Sequence, residues 1–332
     1  MKKLLTVAVL AAAALAATGY KVINKIKIGG ANSWDYCSMD SAARRLYVSH
    51  GGSVEVVDVD AGKLVGTIPD LHGVHGIAIA ADLGKGFITN GQSNSVTIFD
   101  LKTLAKSGEP AVGQNPDAVC YEPKTKRVFT FNGRSNDSSV IDAKTGQVVA
   151  TLPLNGKPEF CVADGAGKLY NNLEDKSEVV EIDAAKPSVT RRTSILPCEG
   201  PSGLAIDVKG KKLFSVCDGK MAVTDIPTLK VIATPAIGQG PDAAGFDPDL
   251  GLAFSSNGSD GNVSVVQLVN GKYDTVDTVA TERGARTMTV DTKAHRLYLL
   301  AAQYPAAAPG AAPGRGRAPA LPDSFHVLVV GK

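Results

Sequence analysis

A unit of about forty residues recurs seven times along this chain, and that repetition limits the possible folds more than any other feature of the sequence. Each unit has a short apolar stretch that ends on an acidic or small residue, which we call the anchor. A second apolar stretch around an aromatic residue begins six or seven residues later. Successive anchors are 40 to 44 residues apart, and the seven are Asp40, Ala80, Glu122, Asp164, Asp207, Asp247 and Asp291.

A third stretch in each unit is rich in β-branched residues, as in VEVVD at 54–58 and VTIFD at 96–100. Such residues favour strands, and no period of 3.6 residues indicates a helix. Most of these stretches end on an aspartate, which can accept N–H groups of the next turn. A fourth stretch then leads away. Seven units of four short antiparallel strands predict an all-β protein, a seven-bladed β-propeller.

The two ends of the chain are predicted to share one blade. The seventh unit has no fourth strand after residues 325–330, whereas residues 21–28 form a lone strand ahead of the first complete unit. Pairing of these segments would close the ring of blades. We therefore predict one propeller domain over residues 20–332. A segment rich in Pro, Ala and Gly at 304–324 interrupts the seventh unit, either as a tolerated surface insertion or as a flap over the channel mouth.

Charge and the first residues bear on location and partners. The 35 Lys and Arg residues and 33 Asp and Glu residues leave a formal net charge of +2, so no nucleic-acid surface is expected. Residues 1–18 have the pattern of a signal peptide, with two lysines, an apolar run and an A-x-A-like cleavage site. We expect a periplasmic or secreted protein without a membrane span after cleavage. We also expect it to be a monomer, with a small molecule or a protein as partner.

The units resemble the YVTN-type repeat family of bacterial β-propellers. LYVSH at 46–50 and FITN at 87–90 match the name-giving tetrapeptide loosely, and the Asp-x-x-Thr-Gly turn at 142–146 and the Pro-Asp pairs before the first strands match as well. The resemblance extends from about Lys21 to the C-terminus. It implies an exported bacterial propeller and no particular activity, because one fold serves many functions.

One polar residue lies five positions before each anchor, where the first strand of each unit begins. Four of the seven are carboxylic acids, and a propeller would bring all seven to the mouth of its central channel. Such a ring could hold a divalent cation or a basic ligand. The alternative is that each side chain accepts hydrogen bonds from its own turn. This first column consists of Asp35, His75, Asp117, Glu159, Ser202, Asp242 and Arg286.

A second column lies three positions after each aromatic residue and would face the same mouth. Asparagine recurs there, which is first of all typical of turns. His50 in this column joins His72 and His75 in the first two units, but a loop spacing favours surface histidines over a zinc site. The second-column candidates for ligand binding are His50, Asn90, Asn132 and Asn257, and Cys217, Leu173 and Ala301 complete the column.

The chain has five cysteines, so at least one must lack an intramolecular partner. Cys198 and Cys217 belong to the same unit and would lie on the same face, which predicts a disulfide in an oxidising compartment. Cys37, Cys120 and Cys161 fall inside first strands. There we expect them to act as small buried hydrophobic residues.

Known catalytic signatures do not occur: there is no nucleophile elbow, P-loop, dinucleotide fingerprint or haem-attachment motif. The sequence therefore favours a binding or interaction protein, with a divalent cation as the candidate cofactor. A metal-dependent hydrolase using Asp35, Glu159 and Asp242 with neighbouring asparagines is the first alternative. A purely structural interaction module is the second.

Overall fold

The computed structural model of the chain describes residues 18–30, 33–305 and 320–332, which form seven antiparallel sheets of four strands each. In the first six blades the strands follow one another from the inner to the outer edge. The first three blades comprise β2 (Cys37–Asp40), β3 (Arg45–His50), β4 (Ser53–Asp58) and β5 (Lys63–Ile68); β6 (Val74–Ala80), β7 (Lys85–Asn90), β8 (Ser95–Asp100) and β9 (Lys106–Gly108); and β10 (Pro116–Glu122), β11 (Arg127–Asn132), β12 (Asp137–Asp142) and β13 (Val148–Pro153).

The next three blades repeat this order, and the seventh takes its outer strand from the beginning of the chain. Two short 3-10 helices, Ala81–Leu83 and Glu174–Lys176, lie in turns. The remaining blades comprise β14 (Pro158–Ala163), β15 (Lys168–Leu173), β16 (Glu178–Asp183) and β17 (Ser188–Ser194); β18 (Leu204–Asp207), β19 (Lys212–Cys217), β20 (Lys220–Asp225) and β21 (Lys230–Ala233); β22 (Pro241–Asp247), β23 (Leu252–Asn257), β24 (Asn262–Val269) and β25 (Lys272–Ala280); and β26 (Met288–Asp291), β27 (Arg296–Ala301), β28 (His326–Gly331) and β1 (Lys21–Lys27).

The blades form a closed ring, which confirms the predicted seven-bladed propeller. Inner strands contact one another in the order β2, β6, β10, β14, β18, β22 and β26, and β26 contacts β2. The predicted closure is confirmed as well, because β1 pairs antiparallel with β28, from Lys21 opposite Gly331 to Lys27 opposite His326. On β1 the side chain of Ile26 is buried against the seventh blade.

The anchors end the inner strands, except that Asp164 directly follows β14. The carboxylates of the six acidic anchors accept N–H groups of the turn into the second strand, whereas Ala80 has no such group. Asp291 is fully buried, and its Oδ1 accepts the N–H groups of Lys293 and Ala294. Its Oδ2 accepts a hydrogen bond from Arg44 of the first blade at 2.5 Å. The anchor thus fastens one blade to the next as well as closing its own turn.

Neighbouring blades pack a large face against a small one. A Cβ added at Gly203 would lie 2.5 Å from the backbone nitrogen of Ala244, and one at Gly245 would lie 2.3 Å from Val290. Both distances are too short for any side chain. At Gly203 the adjoining blade therefore approaches to backbone contact, and at Gly245 the large side chain of Val290 fills the space, as the alternation of large and small residues in the inner strands predicts.

The cysteines differ in part from the sequence-based expectation. Cys198 and Cys217 form a disulfide with a Cα–Cα distance of 5.6 Å. The expectation that Cys120 and Cys161 are small buried hydrophobic residues is wrong, because they are joined across the third and fourth blades with a Cα–Cα distance of 6.2 Å. Cys120 is two residues before its anchor and Cys161 three before its own, so their side chains point at each other across the gap between blades. Cys37 is a buried free thiol.

Two predicted segments fall largely outside the described residues. The predicted signal peptide does so apart from Thr18, whose N–H and hydroxyl groups donate to Asp277 at 2.8 and 2.5 Å. Of the 304–324 segment, residues 306–319 are not described. Within the ranges the structure covers, no helix has the length and apolar character needed to cross a membrane.

Candidate functional site

A β-bulge at the start of several inner strands turns the first-column side chains toward the channel. In the third blade Pro116 lies opposite Asn132 and Val119 opposite Thr130, so the inner strand has one extra residue between these pairs. The same irregularity occurs at the starts of β6, β14 and β22. A bulge re-aims the side chains within it. His75, Asp117, Glu159 and Asp242 lie inside these four bulges.

Three first-column residues from consecutive blades meet at one point. His75 Nδ1 lies 2.6 Å from Asp35 Oδ2 and 3.6 Å from Asp117 Oδ1. One nitrogen or oxygen atom from each residue lies within 4.8 Å of the corresponding atoms of the other two. Oδ1 of Asp117 is buried and has no hydrogen-bond partner. A buried carboxylate oxygen without a donor is costly, which makes this the least satisfied point of the mouth.

Two basic residues partly neutralise the other acids. Arg286 Nε lies 2.6 Å from Asp242 Oδ2, and its Nη2 lies 3.9 Å from Asp35 Oδ1. Lys157 Nζ lies 3.5 Å from Glu159 Oε1, but it also pairs closely with Glu174. We call the six residues Asp35, His75, Asp117, Glu159, Asp242 and Arg286 the mouth cluster.

Burial shifts the protonation of the mouth cluster. Burial, aided by the charge of Asp35, raises the pKa of Asp117 to about 7. Burial, aided by the charge of Asp117, raises the pKa of Glu159 to about 8. Burial also raises the pKa of Asp242 to about 6, although Arg286 opposes the shift. Burial lowers the pKa of His75, but the hydrogen bond to Asp35 and the nearby carboxylates outweigh it, so that this pKa is raised. The carboxyl groups of the mouth cluster therefore bind protons near neutral pH. These protons occupy the place that another cation could take.

Glycines make room for the two basic members of the mouth cluster. A Cβ added at Gly91 would lie 2.6 Å from Nε2 of His75. One at Gly258 would lie 2.6 Å from Cβ of Arg286. The imidazole of His75 and the Cβ of Arg286 thus lie directly against glycine backbone, which restricts their positions.

Two aromatic residues close the channel beside the mouth cluster. Tyr36 and Phe160 come from the first and fourth blades, on opposite sides of the ring, and their ring centroids are 5.0 Å apart. Burial and the carboxylates of the mouth cluster raise the pKa of Tyr36 well above its usual value. Sequence reasoning missed this pair. The available signal was size, since both are large at a strand position that is small in most other units, as at Gly76, Gly203 and Ala243.

Small polar side chains of the second strands position the mouth. Ser49 Oγ accepts the N–H of Asp35 at 2.7 Å, and Thr89 Oγ1 donates to the carbonyl of Asp117 at 2.6 Å. Asn171 Nδ2 donates to the carbonyls of Glu159 and Phe160 at 2.9 and 3.0 Å. These bonds fix the backbone of the bulges, so the mouth cluster rests on an ordered support.

The second column lies inside the blades, unlike the mouth cluster. Asn132 Nδ2 donates to Asp137 and Ser139 of the next strand at 2.6 and 3.1 Å. Asn90 makes the equivalent bonds, the amide of Asn257 bonds to Ser264 of the next strand, and all three asparagines are fully buried. The amides therefore stabilise the turn between the second and third strands. This is the turn role that is typical of recurring asparagines in the sequence.

Other first- and second-column residues have structural contacts of their own. His50 lies 3.2 Å from Glu55 and packs against Phe325. Ser202 Oγ donates to the carbonyl of Pro241 at 3.0 Å, across the fifth and sixth blades. The structure thus brings six of the eleven predicted ligand residues together and places the other five in packing or turn contacts.

Cavities open among the loops of the described residues. One of about 230 Å³ adjoins the mouth cluster and is lined by Asp242, Arg286 and the glycines 240, 258 and 284. A larger one, of about 410 Å³, lies between the loops of the third and fourth blades. Its charged side chains Asp175 and Lys176 are exposed and pair with each other at 3.3 Å, and the third, Asp137, accepts hydrogen bonds from Asn132 and Ser135. The larger cavity therefore lacks the buried, converging charges of the mouth.

Comparison with known proteins supports the propeller fold and indicates no specific ligand or activity. No family model matches the chain. It is 27% identical over 168 residues to the uncharacterised protein YncE of Salmonella typhi, covering 48% of this chain and 46% of that protein. It is 25% identical over 211 residues to antigen Lp49 of Leptospira interrogans, covering 59% of this chain and 46% of that protein. The chain thus aligns with less than half the length of these curated relatives.

A solved structure shows the same fold. A chain of hydrazine synthase from Kuenenia stuttgartiensis superposes with a TM-score of 0.72 at 17% identity, covering 80% of this chain and 92% of that chain. At that identity the likeness concerns the fold alone. The weak similarity to propeller-type proteins of no assigned activity is in keeping with an interaction module.

Proposed function

We propose that this protein is an exported binding protein whose channel mouth takes a small cationic ligand. The observation that carries the proposal is the convergence of four carboxyl groups from four different blades around a buried oxygen of Asp117 that has no hydrogen-bond partner. Binding sites are expected where a concave surface gathers a few polar groups. The basic n-region and apolar run of the first residues support export.

The balance of charge favours a cation over an anion. Arg286 is engaged with Asp242 and approaches Asp35, and Lys157 is shared between Glu159 and Glu174. A positively charged ligand would donate to Asp117 and displace the protons that the mouth holds near neutral pH. The Tyr36 and Phe160 rings limit the depth of the site, so the ligand is small.

A thermal-shift screen tests the proposal. Probes are a polyamine, a quaternary ammonium, free arginine, Mg²⁺, Ca²⁺ and Zn²⁺, each against wild type and the double variant Asp117→Asn/Asp242→Asn. At least one probe should raise the unfolding midpoint of wild type, because a ligand at a hundred times its Kd adds about 2.7 kcal/mol. The double variant should lose that increase, whereas Asp274→Asn on outer strand β25 should keep it. The proposal fails if no probe stabilises wild type or if stabilisation survives the double variant.

A further inference from the structure

The mouth cluster contains a subset with the chemistry of a metal site. We propose that Asp35, His75 and Asp117 bind one divalent first-row transition-metal ion, such as Zn²⁺. This inference rests on the proposed function and names the class of cation at that site. Its three residues come from the first, second and third blades, and each offers one ligand atom within 4.8 Å of the others.

The distances suit a bound ion after a small adjustment. Ligand atoms about 2.0–2.1 Å from a tetrahedral ion are about 3.3 Å from each other. His75 Nδ1 is 3.6 Å from Asp117 Oδ1, which is close to that spacing. It is 2.6 Å from Asp35 Oδ2, where a hydrogen bond now joins the two groups. An ion would take the place of the shared proton and open this pair by about 0.7 Å, within the reach of side-chain rotation.

A second observation points to a ligand at the same place. Asp117 Oδ1, the oxygen that faces His75, is buried and has no hydrogen-bond partner. Buried carboxylate oxygens are normally satisfied. The Arg286 guanidinium approaches Asp35 on Oδ1, the oxygen away from His75, and so leaves Oδ2 directed at the imidazole. Gly91 seats the imidazole against the backbone, which reduces the cost of fixing its orientation.

The ligand set selects the class of ion. Imidazole nitrogen suits Zn²⁺, Fe²⁺, Ni²⁺ and Cu²⁺, whereas carboxylates alone suit Mg²⁺, Ca²⁺ and Mn²⁺. Ca²⁺ takes six to eight oxygen ligands, and Mg²⁺ demands near-octahedral oxygen coordination. One nitrogen with two carboxylates fits neither of these well. Three protein ligands also leave a coordination position for water or a further ligand.

A second group in the described residues, Asp247, Asp249 and His295, has similar spacing but a structural explanation. Asp247 Oδ1 accepts the N–H groups of Asp249 and Leu250, and its Oδ2 pairs with His295 of the next blade at 2.8 Å. Both oxygens are therefore engaged. The anchor Asp291 has the same arrangement with Arg44 in place of histidine.

The test measures Zn²⁺ binding to the full chain after removal of metals with a chelator, by calorimetry and by metal analysis after dialysis. We expect one Zn²⁺ per chain in wild type, with Mg²⁺ and Ca²⁺ unable to compete. His75→Gln and Asp117→Asn should each weaken binding by at least about 100-fold, more than the loss of an outer-shell partner. The matched control is His72→Gln, an exposed histidine three residues before His75, which should bind Zn²⁺ as wild type does. Unfolding midpoints of all variants verify folding, and Co²⁺ in place of Zn²⁺ reports a nitrogen ligand through its visible spectrum.

The outcomes separate this inference from the proposed function. Zn²⁺ binding that is unchanged in His75→Gln and Asp117→Asn, or weakened equally in His72→Gln, would overturn the metal site. If organic cations stabilise wild type and His75→Gln alike while Zn²⁺ binds neither, the mouth takes a cation but not a metal. If neither class of probe binds wild type, both proposals fall together.

Discussion

Acidic side chains lie at both ends of the inner strands, and their carboxylate oxygens differ in hydrogen bonding between the two ends. At the anchor end the fully buried Asp291 receives two backbone N–H groups and the Arg44 guanidinium. At the mouth end Asp117 keeps an oxygen without any hydrogen-bond partner. The same residue type therefore serves the fold where donors match its oxygens, and is open to a ligand where they do not.

Removing an anchor carboxylate should have the largest effect. Asp291→Ala would leave two N–H groups of the turn unpaired and deprive Arg44, whose side chain is only 15% exposed, of its buried partner. We expect a loss of about 3 kcal/mol, the lower end of the range for a broken buried pair, because Asp60 still contacts Arg44 at 3.0 Å. Urea unfolding at pH 7 measures this. Asp117→Asn at the mouth should change stability far less, and equal losses would contradict the comparison.

The fourth blade shows the same contrast between Glu181 and Glu159. For Glu181 we expect a contribution to stability that is lost in acid. Burial opposes ionisation of Glu181, but Arg191 and Thr190 lower its pKa to about 2. A pKa lowered by folding contributes stability above the unfolded value, which is lost as the pH falls toward the folded value. Glu181→Gln should therefore cost about 2 kcal/mol at pH 7, after allowance for partial screening, and progressively less below about pH 4. Denaturant unfolding between pH 7 and 3 checks the slope, and a difference independent of pH would contradict the assignment.

Glu159 should show the opposite sign and a smaller effect. Because its pKa is raised to about 8, the folded state holds the proton more tightly than the unfolded chain. Its contribution is complete below about pH 4 and is lost as the pH rises toward 8. In chelator-treated protein, Glu159→Gln should raise the free energy of unfolding at pH 8.5 by about 1 kcal/mol, because the neutral amide avoids the cost of burying the carboxylate charge. It should match wild type near pH 4. A loss of stability at pH 8.5 would mean that the carboxylate is structural.

The fold and the membership of the mouth could be predicted because both depend on a register that repeats. Counting five residues back from the anchor reaches His75, Asp117, Glu159 and Asp242 at equivalent positions, because the extra residue of the bulge recurs in these four blades. The hydrogen-bond partners of Asn132 and its equivalents could not be predicted this way, although their role in the turn could. Sequence position fixes where an amide lies, but its partners, such as Ser139, depend on how the next strand packs.

The contacts across the ring could not be predicted from the sequence for a different reason. The Tyr36–Phe160 pair joins blades separated by more than one hundred residues, and the large size of the two residues does not by itself indicate which side chains meet across the ring. The Cys120–Cys161 disulfide joins adjacent blades and could have been predicted from the sequence. The alternation of large and small residues places the two side chains on opposite faces of their strands, so that they face each other across the gap between blades. What the mouth binds stays a prediction.

The pairing of β1 with β28 sets an order of events during synthesis. Lys27 lies opposite His326, so the first strand of the ring leaves the ribosome about 300 residues before its partner exists. At about 5–20 residues per second that interval is about 15–60 s. An unpaired strand is a site of misassembly, and lysines along its edge discourage pairing with other chains. The three lysines of KVINKIK would then protect the nascent chain from wrong strand pairing during this interval. This role is separate from any contact they make in the finished ring.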